Sequence, residues 1–148
     1  MSIQISEMSV NHIQAALEMW AHIEGMGLSS ADEPVALKRF LLQNPGLSFV
    51  AEKEGRLLGT CLCGSDGRRG YLYHLAVIPQ YRRQGLGSTL VQKVFTALYE
   101  RDIHKCHIMV FATNETGLKF WQADGWVRRP EIVLMSRDVE VYDTSSAC

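Results

Sequence analysis

The chain lacks any long apolar run, any excess of one charge and any cysteine spacing suited to zinc. Each absence removes a class of function. No stretch approaches the roughly 20 apolar residues that a membrane-spanning helix needs, so no membrane partner is expected. A formal net charge of -1 sets up no global field for nucleic acid, so any anion site must be local. The opening Met1-Ser2-Ile3-Gln4-Ile5 has neither the basic nor the apolar region of a signal peptide, which points to a cytoplasmic protein. Cys61 and Cys63 stand two apart in an apolar stretch, and Cys106 and Cys148 are isolated. Cys-x-Cys on a strand puts both thiols on one face, which would suit a soft metal. However, no second Cys or His pair stands at ligand spacing, so reduced, mostly buried thiols and no metal are expected.

What is present fits one globular domain. The 148 residues are 47% apolar and 21% charged, enough for a real core. There are no repeats, low-complexity tracts or linkers. Residues 1–142 read as one domain and 143–148 as a frayed tail. Ile3-Gln4-Ile5 alternates as a first strand, and Ser9 caps a helix with Ile13, Ala16, Leu17 and Trp20 on one face. A second helix opens at Asp32 and Pro34 and stops at Asn44-Pro45-Gly46. Residues 47–53 and 56–64 form a hairpin about Glu54-Gly55, and a strand follows over 71–78. A long helix runs to about Arg101, then a strand over 106–112 and a helix over 114–123. Last strands are expected at 126–128 and 132–137. The order β-α-α-β-β-β-α-β-α-β-β predicts an α/β (α+β) fold, a mixed, mostly antiparallel sheet of about six or seven strands with helices on both faces.

Chemistry concentrates where the strand ending at Pro79 turns into the long helix. The first turn of a helix leaves backbone N–H groups without partners, and its dipole adds partial positive charge. Gly85 and Gly87 let a diphosphate approach that backbone closely, and Arg82 and Arg83 add full charges. Taken alone, a Gly-x-Gly beside two arginines fits a plain loop with a solvated corner equally well. A Walker loop is excluded because no Gly-Lys-Ser or Gly-Lys-Thr follows. A dinucleotide fingerprint is excluded because Leu90 stands at the third glycine's place.

Leu75-Ala76-Val77-Ile78-Pro79-Gln80-Tyr81-Arg82-Arg83-Gln84-Gly85-Leu86-Gly87 resembles the acetyl-CoA motif of the GNAT N-acetyltransferase superfamily, with Arg82, Gly85 and Gly87 matching its signature directly. Asn114-x-x-Gly117-x-x-Phe120-Trp121-x-x-x-Gly125-Trp126 resembles the family's downstream helix and turn. Phe49-Val50-Ala51-Glu52 with Leu58-Gly59-Thr60 resembles its second and third strands. The likeness runs from Ile3 to Arg137 and is nearest the short bacterial members, with their Gly-x-Asp-Gly-x-Arg-Gly stretch here at residues 64–70.

The resemblance implies an N-acetyltransferase with acetyl-CoA as co-substrate. Leu75 would offer its N–H to the thioester oxygen, and Val77 would bond the pantetheine. The amides of Arg83, Gln84, Gly85, Leu86, Gly87 and Ser88 would hold the pyrophosphate, with Asn114 as a further cofactor contact. Asn114 also reads as a plain N-cap. The acceptor would be a small-molecule amine or a protein amino group, and homodimers are common among such proteins. A rival from another class is a GNAT-fold module that holds acetyl-CoA without turnover.

The chemistry requires an ammonium, with pKa about 10 if lysine-like, to lose a proton before attack. Tyr71 stands where some members carry a glutamate base. Tyr71 and Tyr73 share a face by alternation and would hold a proton-relaying water. Alternation sends His74 to the opposite face, where a structural role is expected. Glu24 is a further candidate base or amine-binding carboxylate that reads as a surface charge. Trp121 stands where many members have an acid tyrosine, and an indole N–H donates without titrating.

Overall fold

The computed structural model describes residues 2–142. Five strands form one sheet in the order β1-β2-β3-β4-β5. They are β1 (Gln4–Glu7), β2 (Phe49–Lys53), β3 (Arg56–Ser65), β4 (Gly70–Val77) and β5 (Cys106–Ile108). All neighbours are antiparallel except β4 and β5, which run parallel. Four helices complete the fold: α1 (Ile13–Trp20), α2 (Pro34–Gln43), α3 (Leu86–Glu100) and α4 (Glu115–Ala123).

Local chemistry explains the elements. Ser9 caps the turn before α1, accepting from Asn11 N–H while its own N–H donates to His12 Nδ1 at 2.9 Å. Pro34 at the start of α2 gives up only an N–H that would have been unpaired. Glu54 and Gly55 have φ of 52° and 76°, the left-handed pair that a two-residue hairpin requires.

The sheet is buried on both faces. Ala51, Leu58, Cys61, Cys63 and Leu72 pack with Leu90, Val94 and Leu98 of α3. Val50, Leu62 and Ala76 pack on the other side with Ala16 and Trp20 of α1 and Leu37 and Leu41 of α2. Cys61, Leu62 and Cys63 thus alternate between two cores, as the period of two in a strand dictates. Each fully buried leucine such as Leu58, Leu62 or Leu90 contributes roughly 1.5–3 kcal/mol of transfer free energy.

The C-terminal third departs from the sequence reading. The strand expected over 106–112 ends at Ile108, and the strands expected at 126–128 and 132–137 do not form. The sheet therefore has five strands rather than six or seven. These segments pair with no strand, and the outer edge of β5 stays open among the described residues. Trp126 packs in an aromatic cluster, while residues 127–142 are exposed, with a bond from Ile132 N–H to the Arg129 carbonyl (3.2 Å) marking a turn. The predicted tail at 143–148 lies outside the described residues.

Candidate active site

The site grows from an irregularity in β4. Thr60 of β3 pairs with Ala76 and Leu62 pairs with Tyr73, so Cys61 faces both His74 and Leu75. Two residues opposing one is a β-bulge, which re-aims side chains and shifts the alternation by one. His74 carries the distortion, with φ of 47°, a region that a non-glycine residue enters only when its surroundings hold it there. Thr60 Oγ1 donates to the His74 carbonyl at 2.9 Å and accepts from Trp20 Nε1 at 2.9 Å. The His74 ring lies 4.6 Å from the Trp20 ring, and its Nε2 is 2.6 Å from Asp32 Oδ1. Asp32 Oδ2 accepts from Ser29 N–H at 2.9 Å.

This corrects the placement of His74. Alternation sends it away from Tyr73, yet both lie on the side of the sheet that carries α1 and α2. The inserted residue cancels one step of the alternation. Asp32, which reads in sequence as a helix-start acid, is nearly buried and bonded to the imidazole.

A slot opens on the other edge of β4. Pairing with β5 runs from Gly70–Cys106 to Leu72–Ile108 and stops there, so Tyr73 through Val77 have no β5 partner. Ile78 N–H bonds the Leu58 carbonyl of β3. By alternation, Val77 and Leu75 turn their backbone groups toward the slot. Arg82 Nε donates to the Val77 carbonyl at 2.8 Å, so that arginine is folded back against the strand end.

Beyond Val77 the chain makes a single 3-10 turn over Pro79–Tyr81 and enters α3 through Arg83 (φ 62°) and Gly85 (φ 78°). No side chain caps the start of α3. Its first N–H groups are thus open to an anion beside exposed Arg82 and Arg83. The two glycines act differently. A Cβ on Gly85 would meet open space, so its role is the left-handed φ. A Cβ on Gly87 would lie 3.3 Å from Phe120 Cζ and 3.7 Å from Leu75 Cδ2, so its role is close packing of α4 and β4 onto the helix start.

The other expected residues divide. Gln84 is exposed and reaches the Gln80 carbonyl at 3.5 Å. Leu86 is buried in the α3 core, leaving only its backbone for a ligand. Ser88 Oγ donates to Asp124 Oδ1 at 3.0 Å, so its N–H is the group available to phosphate. Asn114 caps α4 by accepting from Gly117 N–H at 3.0 Å. Its Nδ2 faces Gly25, while Phe111 packs on Gly27. The α1–α2 connection and the loop before α4 therefore meet across the site. Glu24 is exposed.

Tyr71 and Tyr73 stay close, but their settings differ. Tyr71 sits 5.8 Å from His107 at the paired end of β4, and Tyr73 meets Phe40 edge-on at 5.8 Å. Burial, reinforced by Tyr71, pushes the Tyr73 phenol above its ordinary value, so it holds its proton. Trp121 belongs to an aromatic cluster, 5.1 Å from both Phe120 and Trp126. Burial pushes the Cys61 thiol up, which makes it unreactive. Among the described residues, no three His, Cys, Asp or Glu side chains gather as a metal site, and no helix is long and apolar enough to cross a membrane.

A five-stranded mixed sheet, an unpaired stretch of β4 and an uncapped helix start are the architecture of the acetyltransferase fold. The family model described as acetyltransferase (GNAT) family matches residues 13–126. The chain belongs to the GNAT acetyltransferase family. An acetyltransferase of Sodalis glossinidius is 28% identical over 106 residues, covering 72% of this chain and 75% of that one. The aminoglycoside acetyltransferase AAC(6')-Iy, bound to a bisubstrate analogue of CoA and acetylneamine, superposes with a TM-score of 0.73 at 17% identity. That match covers 94% of this chain and all of that one. The ribosomal-protein-S18-alanine N-acetyltransferase of Escherichia coli gives a TM-score of 0.69 at 21% identity, with coverage of 84% and 77%. The uncapped helix start and the open β4 edge fit the pyrophosphate and the amide-bearing arm of CoA, respectively.

Proposed function

We propose that residues 1–142 form a single domain that transfers acetyl from acetyl-CoA to a primary amine by direct attack in a ternary complex, in the cytoplasm and as a homodimer. The observation carrying this reading is the open backbone edge of β4 running into the uncapped start of α3. Val77 pairs with the pantetheine, and the amides of Arg83, Gln84, Gly85, Leu86, Gly87 and Ser88 hold the pyrophosphate, with Arg82 and Arg83 adding charge. Asn114 sits at the far wall, where its Nδ2 remains free of the capping bond.

In the reaction the amine nitrogen bonds to the thioester carbon, the C–S bond breaks, and the sulfur leaves with the electron pair. The Leu75 N–H stabilises the oxyanion, an interaction worth about 3–4 kcal/mol where such donors have been removed. His74 takes the amine proton. Asp32 accepts from Nε2–H, which leaves the lone pair on Nδ1 as the basic site, the same logic by which a carboxylate orients a catalytic imidazole. Tyr73, which holds its proton, serves the departing sulfur, and Tyr71 orders the water between them. Trp121 packs and carries no proton. The acceptor is a small amine or a protein amino group; the two superposed enzymes act on one of each.

Thiol release from acetyl-CoA across a panel of aminoglycosides, polyamines and peptide N-termini tests the reading. Tight CoA binding with no amine consumed would leave only a cofactor-binding module.

A further inference from the structure

Strand alternation places the side of the slot that faces α1 and α2. Cys106 and Ile108 of β5 pack into the core under α3. His107 between them turns the other way and sits 5.8 Å from Tyr71. Continuing the period of two, Met109 and Phe111 follow His107 onto the side that carries α1 and α2. Phe111 bears this out, because a Cβ on Gly27 of the α1–α2 connection would lie 2.7 Å from its ring. On the opposite bank, β4 turns Tyr73 and His74 to the same side. A cleft therefore runs between Tyr73 and His74 on one bank and Met109 and Phe111 on the other. Tyr71 and His107 close its paired end, and the connection crosses it at Gly27.

The lining of this cleft is apolar. Met109, Phe111 and Leu28 are 60%, 62% and 43% exposed, large side chains left in solvent beside the reaction site. Met26 packs on the core behind them, and Phe40 meets Tyr73 edge-on. No charged residue stands between Met109 and Asn114. The crossing segment adds little charge of its own. Asp32 uses both carboxylate oxygens, on His74 and on Ser29, while Glu24 and Glu33 are exposed. An acceptor with several ammonium groups would strip water from charges that find no counter-ion inside the cleft. A single amine on an apolar group meets the opposite case. Its carbon skeleton covers Phe111, Met109 and Leu28, and those surroundings lower its ammonium pKa toward the neutral form that attacks.

We infer that the acceptor is a primary amine borne by an aromatic or aliphatic group without a second positive charge, and that Phe111 and Leu28 select it. The inference rests on the acetyl transfer proposed above and names the class of amine. A free arylalkylamine and a chain terminus beginning with an apolar residue share this chemistry.

Steady-state kinetics of the full chain with acetyl-CoA test it, with 2-phenylethylamine, a peptide beginning with phenylalanine, spermidine and kanamycin as acceptors. The kcat/KM for 2-phenylethylamine or the peptide should exceed that for either polycation by about tenfold or more, the scale on which apolar contacts discriminate. The better of those two names the source of the amine. Phe111→Ser and Leu28→Ser should each raise KM for the preferred acceptor by about tenfold and leave CoA affinity unchanged. Leu28→Ser keeps the test intact where loss of Phe111 loosens the connection. A higher kcat/KM for spermidine or kanamycin would overturn the apolar class and leave acetyl transfer standing. An unchanged KM in both variants would overturn the selecting role of these two residues. No thiol released with any acceptor would sink the transfer itself, and the inference with it.

Discussion

Asp32 Oδ1 lies 2.6 Å from His74 Nε2, and the same carboxylate accepts the Ser29 N–H through its other oxygen. A carboxylate held on both sides fixes the imidazole orientation. Asp32→Asn should lower kcat by about 10²-fold or more, the scale of general-base catalysis, while leaving CoA affinity unchanged. His74→Asn is the companion variant, because asparagine tolerates the positive φ that this position demands. It should lower kcat by a similar factor while CoA affinity stays unchanged. Turnover at the unaltered rate would show that His74 only supports the bulge.

Thr60 links Trp20 to the His74 carbonyl and is wholly buried. Thr60→Val leaves Trp20 Nε1 and that carbonyl without their partner at nearly constant volume. The expected cost is about 1–3 kcal/mol, the penalty for unsatisfied buried groups, read by thermal unfolding. Turnover should fall further than stability accounts for, since the bulge that presents Leu75 and His74 loses its tie.

Gly85 and Gly87 should respond differently to substitution. Gly85→Ala meets no neighbour but is strained by its left-handed backbone, at about 1–2 kcal/mol. Gly87→Val drives a branched side chain toward Phe120, displacing α4 from the helix start. CoA affinity measured by calorimetry should drop sharply in Gly87→Val and recover in part when Phe120→Leu makes room. No recovery would mean that the valine acts directly on the ligand's phosphate rather than through packing.

Tyr73 titrates above its ordinary value of 10.0, chiefly because it is buried. The unfolded chain therefore ionises this phenol first as pH rises, and the native state is favoured only while the group keeps its proton. This contribution to stability is complete below pH 10 and is lost as pH climbs through the folded value. Ultraviolet titration should show one late-ionising tyrosine, missing in Tyr73→Phe. The same variant should lower kcat while leaving CoA affinity unchanged.

Much of this was legible in the sequence, and the exceptions have physical causes. The turn from Ile78 to Gly87 could be read because glycine spacing and the four-residue steps of Leu86, Leu90, Val94 and Leu98 are local signals. His74 could not be placed, because a bulge is set by the register with β3, and one extra residue inverts every face assignment after it. The Asp32–His74 pair joins residues 42 apart, so no local pattern announces it. At 132–137 the strand-like composition was read correctly, but composition cannot supply the partner that turns a segment into a strand. Gly87 showed the opposite limit: its presence was clear, but only the neighbouring Phe120 reveals what it makes room for.

Among the described residues, every fully buried one falls in the first 103 positions, and this bears on how the protein is made. Chains fold from the N-terminus as they are synthesised, domain by domain. Here the interior can close before the rest of the chain leaves the ribosome, and Cys106, Ile108, Trp121 and Trp126 then settle against a body already formed.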